Sequence, residues 1–281
     1  MTMNKNKVTK RLPQIILIVV LVVLCIMMLL PFFWMFSTSL RLPKESFKMP
    51  PSFFPTSFRW ENYAEVFHSF PFLQFILNSL FVSVIVVICN IFVTTMAAFA
   101  FSRLNFKFRE GLFLLFLAGM MIPSQATIIP QFIIMSKLHL VGELWSLILP
   151  AVTTPLSIFL VRQYMMTIPK SYEEAAYIDG AGRFKIYSKI ILPMSVSVIV
   201  MTSLLNFLSS WNNYMGPLIY LSDWEKMTLP IGLKMLQNAR GAGSASEVLA
   251  GVTISIIPPL ILYLFGQKQL VQSASLSGLK S

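Results

Sequence analysis

Six stretches of 18 residues or more contain no Asp, Glu, Lys or Arg: 12–40, 66–102, 111–136, 144–161, 190–222 and 248–267. A helix that crosses a bilayer needs roughly 17–25 apolar residues, and every one of these runs is long enough. Strands of a membrane barrel would alternate apolar and polar residues, whereas these runs are apolar on every side. With 56% hydrophobic and 12% charged residues, the chain also falls outside soluble domains, where about a quarter of residues are charged. The reading is an all-α integral membrane protein of six transmembrane helices.

An even number of spans puts both termini on one side, and basic residues select the side. Fourteen of the 22 Lys and Arg lie in the N-terminal tail, the connections 103–110 and 162–189, and the C-terminal tail. Those segments are expected to be cytoplasmic. The net charge of +11 is then an orientation signal and calls for no nucleic acid. The basic, apolar start has the order of a secretory signal, but its apolar part exceeds the roughly 7–15 residues of one, so no cleavage is expected.

One cytoplasmic connection, 169–193, is patterned like folded structure. Pro169 forbids continuation of the preceding helix. Ser171 stands three residues before Glu174, the spacing of a capping box. Asp179-Gly180 supplies a helix stop and a turn, and a second helix is expected from Arg183 through Ile190, Leu192 and Pro193. Two short helices joined by a glycine are more than a mere connection requires.

This connection also carries a resemblance. Glu174-Ala175-Ala176, then Gly180, Ile190 and Leu192-Pro193 at their spacings, resemble the full "EAA" signature of bacterial ATP-binding-cassette (ABC) importer permeases. The segments 50–55, 60–67, 211–221 and 227–233 resemble the carbohydrate-uptake, maltose-transporter-like branch of that family. The resemblance implies a permease subunit in the bacterial cytoplasmic membrane, forming half of a pathway for a sugar or oligosaccharide. It implies a first span added (1–72) to a five-helix core (73–270), followed by a cytoplasmic tail (271–281). Implied partners are a second homologous permease, two ATP-binding subunits carrying ATP and Mg, and an extracytoplasmic binding protein. The residues it assigns to ATPase coupling are Ser171, Tyr172, Glu173, Glu174, Ala175, Ala176, Asp179, Gly180 and Pro193. In this picture Ala175 and Ala176 permit close approach, and Glu173 and Glu174 offer charge to a basic partner.

The remaining features are read from the residues. The first span is expected to end at the interfacial aromatics Pro31-Phe32-Phe33-Trp34. The proline-rich stretch 41–71 should lie extended without a core of its own. Cys25 and Cys89 are expected as free thiols packed like small apolar groups. Small and polar residues on the second span (Asn90, Thr94, Thr95, Ala97, Ala98, Ala100) let helix backbones approach. Pro123 and Pro130 break the third span, making Gln125 a candidate pathway residue with Asn206 and Asn212. Asn206 is the better fit to interhelical bonding, and the Trp211–Tyr214 cluster to the outer interface. Pro258-Pro259 should bend the sixth span, and Gly-rich 240–246 reads as flexible.

Enzymatic chemistry is not expected. No G-x-x-x-x-G-K-[ST] loop holds a phosphate, no C-x-x-C pair or G-x-S-x-G elbow exists, and His68 and His139 lack companions at metal spacing. No cofactor is expected in this chain. Ion-coupled transport remains a rival, although it usually needs ionisable groups inside spans. An ABC importer of a non-sugar solute is the other alternative, and a purely structural membrane protein has no need of the capped loop.

Overall fold

A computed structural model describes residues 5–45, 54–240 and 244–278, with the backbone alone at 5–12, 44, 69, 240 and 270–278. The described residues form helices α1 (Lys5–Ser39), α2 (Glu61–Ser69), α3 (Phe72–Arg103), α4 (Arg109–Ala118), α5 (Ser124–Lys137), α6 (Trp145–Ala151) and α7 (Pro155–Thr167). Then follow α8 (Ser171–Ile178), α9 (Arg183–Ile186), α10 (Leu192–Met194), α11 (Val196–Trp211), α12 (Met215–Tyr220), α13 (Leu229–Arg240) and α14 (Ala245–Gly278). Four helical stretches are long and apolar enough to cross a membrane, and two bent pairs bring the number to six if each pair is one span.

The chain divides into two compact units, Met1–Phe70 with Met235–Ile254 and Pro71–Lys234 with Ser255–Ser281. In the first unit α1 runs straight through Pro31 to Ser39, so the aromatics expected to end the span lie inside the helix. None of the apolar window of α1 is buried in the chain; such a surface requires lipid or another protein around it. Cys25 is exposed on this helix instead of packed, and Cys89 is half-buried. The stretch after α1 also departs from expectation, because it has buried structure of its own. Asn62 and Val66, four residues apart on one face of α2, are fully buried. The Asn62 amide donates to the carbonyls of Ser39 and Arg41, both at 2.8 Å, satisfying groups that a helix end leaves open. The Ser39 and Tyr63 hydroxyls are 2.7 Å apart. Pro50 and Pro51 lie outside the described residues.

The second unit is built on α3, which packs against α7 and α11. Its buried stripe reads Val82, Ser83, Val86, Asn90, Thr94, Thr95 and Ala98, the small and polar face that permits close approach. Of the two prolines expected to break the third charge-free run, Pro123 does so, α4 and α5 meeting at 104°, whereas Pro130 lies inside the continuous α5. Ile122 is extended ahead of Pro123, the conformation that a following proline imposes. The second broken pair turns by 76° at Ser195. Upstream of it, Pro193 lacks an N–H, and the turn Tyr187–Ile191 widens to π geometry, with the Leu192 N–H reaching the Tyr187 carbonyl. A missing donor inside a helix is a recognised cause of such a bulge. By contrast Pro258 and Pro259 sit inside one continuous helix, α14.

The connection from α12 to α13 is pinned to α3. Asn78 donates to the carbonyls of Glu225 (2.8 Å) and Met227 (2.9 Å), and the Leu229 N–H donates to the Ser79 hydroxyl at 2.8 Å. Lys226 lies 2.6 Å from Glu143, and this hydrogen bond raises the ammonium above its ordinary pKa. Of the stretch read as flexible, 241–243 lie outside the described residues, and Ala245 and Ser246 already belong to α14. Gly232 touches Phe75 so closely that an added Cβ would stand 2.2 Å from the ring. Phe75 is fully buried and cannot step aside. Gly232→Ala is therefore expected to cost about 1–3 kcal/mol by overpacking, read as a fall of several degrees in the unfolding temperature of the detergent-purified protein.

Candidate functional site

The connection between α7 and α11 has the two helices and glycine turn expected, with a different start. Ile168 is extended before Pro169, and the helical path resumes already at Lys170, whose carbonyl accepts from the amides of Glu173 (2.9 Å) and Glu174 (3.0 Å). Ser171 thus lies in the first turn of α8 and makes no cap: the capping box does not form. Proline fixes its own φ near the helical value, so the turn begins earlier than the serine.

The end of α8 matches a Schellman motif. Gly180 has φ +74°, its N–H donates to Tyr177 at 3.0 Å, and the Ala181 N–H reaches back to Ala176 at 2.9 Å. This six-to-one and five-to-two pair satisfies the last carbonyls and needs a left-handed residue at the turn. Ala176 and Ala181 are both buried in one apolar cluster with Ala98 and Phe99 of α3, Met165 and Ile168.

Side chains of α8 divide sharply between two faces. Glu173 and Ala176, three apart, turn inward. Ala176 is buried, and Glu173 pairs with Arg103 at 2.9 Å, its side chain only 12% exposed. Both side chains therefore point into this chain, away from the outer face of α8. The outer face carries Ser171, Tyr172, Glu174, Ala175, Asp179 and Gly180. It also carries residues the signature spacing treats as filler: Tyr177, Ile178 (87% exposed) and, across the turn, Phe184 (73% exposed). Aromatic and apolar side chains beside a glycine stop were the available signal. Pro193 follows in α10, one bend before α11.

Two arginines at the same end of the helices were also missed. Arg162 pairs with Glu110 at 2.9 Å, donates to the Phe101 carbonyl at 3.1 Å and lies 4.0 Å over the Phe113 ring. Arg103 bonds the carbonyls of Met165 and Ile168. Long-range partners of this kind leave no local pattern.

The three candidate pathway residues separate. Gln125 lines a groove of about 290 Å³ together with Thr127, Gln131, Asn213 and Tyr220. Asn206 is buried in a junction with Asn90, Thr154 and Ser157, the bonding role that suited it better. Asn212 is exposed and donates to Leu208 at 2.9 Å; it is the adjacent Asn213 that faces the groove. Trp211 is buried, stacked on Phe207, and donates to the Ser255 carbonyl at 3.2 Å. Among the described residues no three His, Cys, Asp or Glu side chains gather as a metal site would need.

Comparison with known proteins places this architecture. Residues 90–274 match the family described as binding-protein-dependent transport system inner membrane component. The arabinooligosaccharides transport system permease protein AraQ of Halalkalibacterium halodurans is 36% identical over 203 residues, 72% of each chain. The trehalose/maltose transport system permease protein MalG of Thermococcus litoralis is 32% identical over 274 residues, 96% of this chain and 98% of the relative. A crystal structure of a bacterial ABC transporter involved in the import of the acidic polysaccharide alginate superposes with a TM-score of 0.80 at 26% identity, over 93% of this chain and 98% of that one. A chain that matches this family over most of its length and shares the fold of a solved importer belongs to the binding-protein-dependent transport inner membrane components, the permease subunits of ABC importers.

Proposed function

We propose that this chain forms half of the translocation pathway for a sugar or oligosaccharide, with α8 docking on a separate ATP-binding subunit. The observation that carries the docking is the outer face of α8 and its turn. Tyr172, Tyr177 and Ile178 of α8 and Phe184 at the start of α9 are all exposed, while the other side of α8 is fixed inward, and large exposed apolar groups gathered in one segment mark an interaction surface. Glu174 stands beside them and offers charge to a basic partner. The sugar class rests on what the relatives transport: arabinooligosaccharides, trehalose/maltose and alginate.

The wider assembly follows from the same reading. Each bent helix pair counts as one span, giving six, and the basic bias of the loops puts α8 and both termini in the cytoplasm. A second permease completes the pathway, and two ATP-binding subunits hold ATP and Mg and perform the hydrolysis, since this sequence has no phosphate loop. A binding protein outside the membrane delivers the solute. Moving a two-state equilibrium from 1:99 to 99:1 takes about 5.5 kcal/mol of differential binding, which nucleotide and binding protein supply jointly. A cysteine at position 178, in a Cys25→Ser, Cys89→Ser background, is expected to crosslink to an ATP-binding subunit in intact membranes. Failure of every position from 174 to 180 to capture such a subunit would remove the docking role.

A further inference from the structure

Arg103 is the last residue of α3, and its side chain is only 4% exposed. One guanidinium nitrogen donates to the carbonyls of Met165 and Ile168, the latter at 2.8 Å, where α7 runs out. The opposite nitrogen stands 2.9 Å from a Glu173 carboxylate oxygen on α8. The consecutive helices α7 and α8 therefore meet the end of α3, more than sixty residues upstream, on one rigid, planar cation. A positive charge at a helix C-terminus is electrostatically favoured, and the carbonyls there are open for bonding. The fork of the guanidinium can engage several acceptors at once, which an ammonium cannot.

We propose that Arg103 is the positioning residue that carries displacement of α8 to the ends of α3 and α7. The proposal rests on the docking of α8 argued above. Along the backbone α8 is joined to α9 through Gly180, whose turn is closed by the Gly180 and Ala181 N–H bonds to Tyr177 and Ala176. The inner face of α8 is held differently. Glu173 is tied to Arg103, and Ala176, one turn on, packs in the cluster that contains Ala98, Phe99, Met165 and Ile168. A push received at Tyr177 and Ile178 thus meets a stiff contact on α3 and α7 as well as the chain leading to α11. The adjacent carboxylates then have separate tasks: Glu174 faces outward to the partner, and Glu173 faces inward to the brace.

The test uses the assembled complex, with its partner permease, binding protein and hydrolysis-deficient ATP-binding subunits, in lipid nanodiscs. Hydrogen exchange is followed with and without ATP at α8 and at segments 100–104 and 165–168. In the wild type all three are expected to respond to ATP. In Arg103→Gln and Glu173→Gln the response at α8 is expected to persist while those at 100–104 and 165–168 fall at least fivefold. Arg103→Lys, which keeps the charge and loses the fork, should fall between. Glu174→Gln should weaken all three together, because it acts at docking. Unchanged responses at 100–104 and 165–168 in Arg103→Gln overturn the proposal, and so does failure of that variant to assemble, which reduces Arg103 to a structural role. No ATP response at α8 in the wild type would overturn the docking reading itself, and the brace with it.

Discussion

Gly180→Val is expected to reduce ATP-driven uptake at least tenfold while leaving membrane insertion intact. The residue has φ +74°, a conformation that costs an L-amino acid roughly 1–2 kcal/mol and a β-branched one more. Space is not the obstacle, since a Cβ there would meet no atom within 4 Å; the cost lies in the backbone. Valine escapes it by leaving the left-handed region, and the Gly180 and Ala181 N–H bonds to Tyr177 and Ala176 are then lost. Ala181 leaves the cluster it shares with Ala176, and Phe184 swings away from Tyr177 and Ile178. Loss of 1.4 kcal/mol already shifts an equilibrium about tenfold. Asparagine tolerates the left-handed region, so Gly180→Asn should keep most of the uptake. Uptake and ATP hydrolysis by proteoliposomes distinguish the outcomes. Valine equal to wild type, or asparagine as poor as valine, would remove the turn from the coupling path.

What could be read from the sequence follows how local each cause is. The charge-free runs located the four helical stretches apolar enough to cross a membrane and the two bent pairs, and Pro123 located the break in one pair, because both act within a few residues. Gly180 was legible for the same reason. The capping box failed because Pro169, two residues earlier, had already started the turn, and because Glu173 is drawn to Arg103, seventy positions upstream. Spacing alone cannot say which of two adjacent carboxylates faces inward; that depends on where α3 ends. The buried Asn62 of α2 was hidden likewise, since its role is to bond carbonyls at the end of α1. The polar face of α3 announced close packing, but its partners on α7 and α11 could be named only from the fold.

The most heavily bonded of those polar groups gives the second large effect. Asn90, 2% exposed, donates to the Val152 carbonyl at 2.8 Å and the Thr154 hydroxyl at 3.1 Å. It accepts from Thr94 at 3.2 Å and from Asn206 at 2.7 Å. Thr154 in turn donates to Asn206 at 3.0 Å, and Asn206 donates to Ser157 at 3.0 Å. The junction lies where α6 ends and α7 begins, so it fixes the break in that span against α3 and α11. Asn90→Leu removes four bonds with little change in volume. Hydrogen bonds between membrane helices average about 0.6 kcal/mol, while a buried group left without a partner costs about 1–3 kcal/mol. The second term decides, because the Val152 carbonyl and the Asn206 amide both lose a partner at buried positions. The expected loss is about 2–4 kcal/mol, seen as a fall of about 5–15 °C in apparent unfolding temperature. Asn206→Leu should act in the same direction. The double variant should cost less than the two singles added, because each single has already broken the bond that the two asparagines share. Strict additivity would mean that the two act independently, and a shift under about 1 °C for Asn90→Leu would mean that the junction does not hold the three helices together.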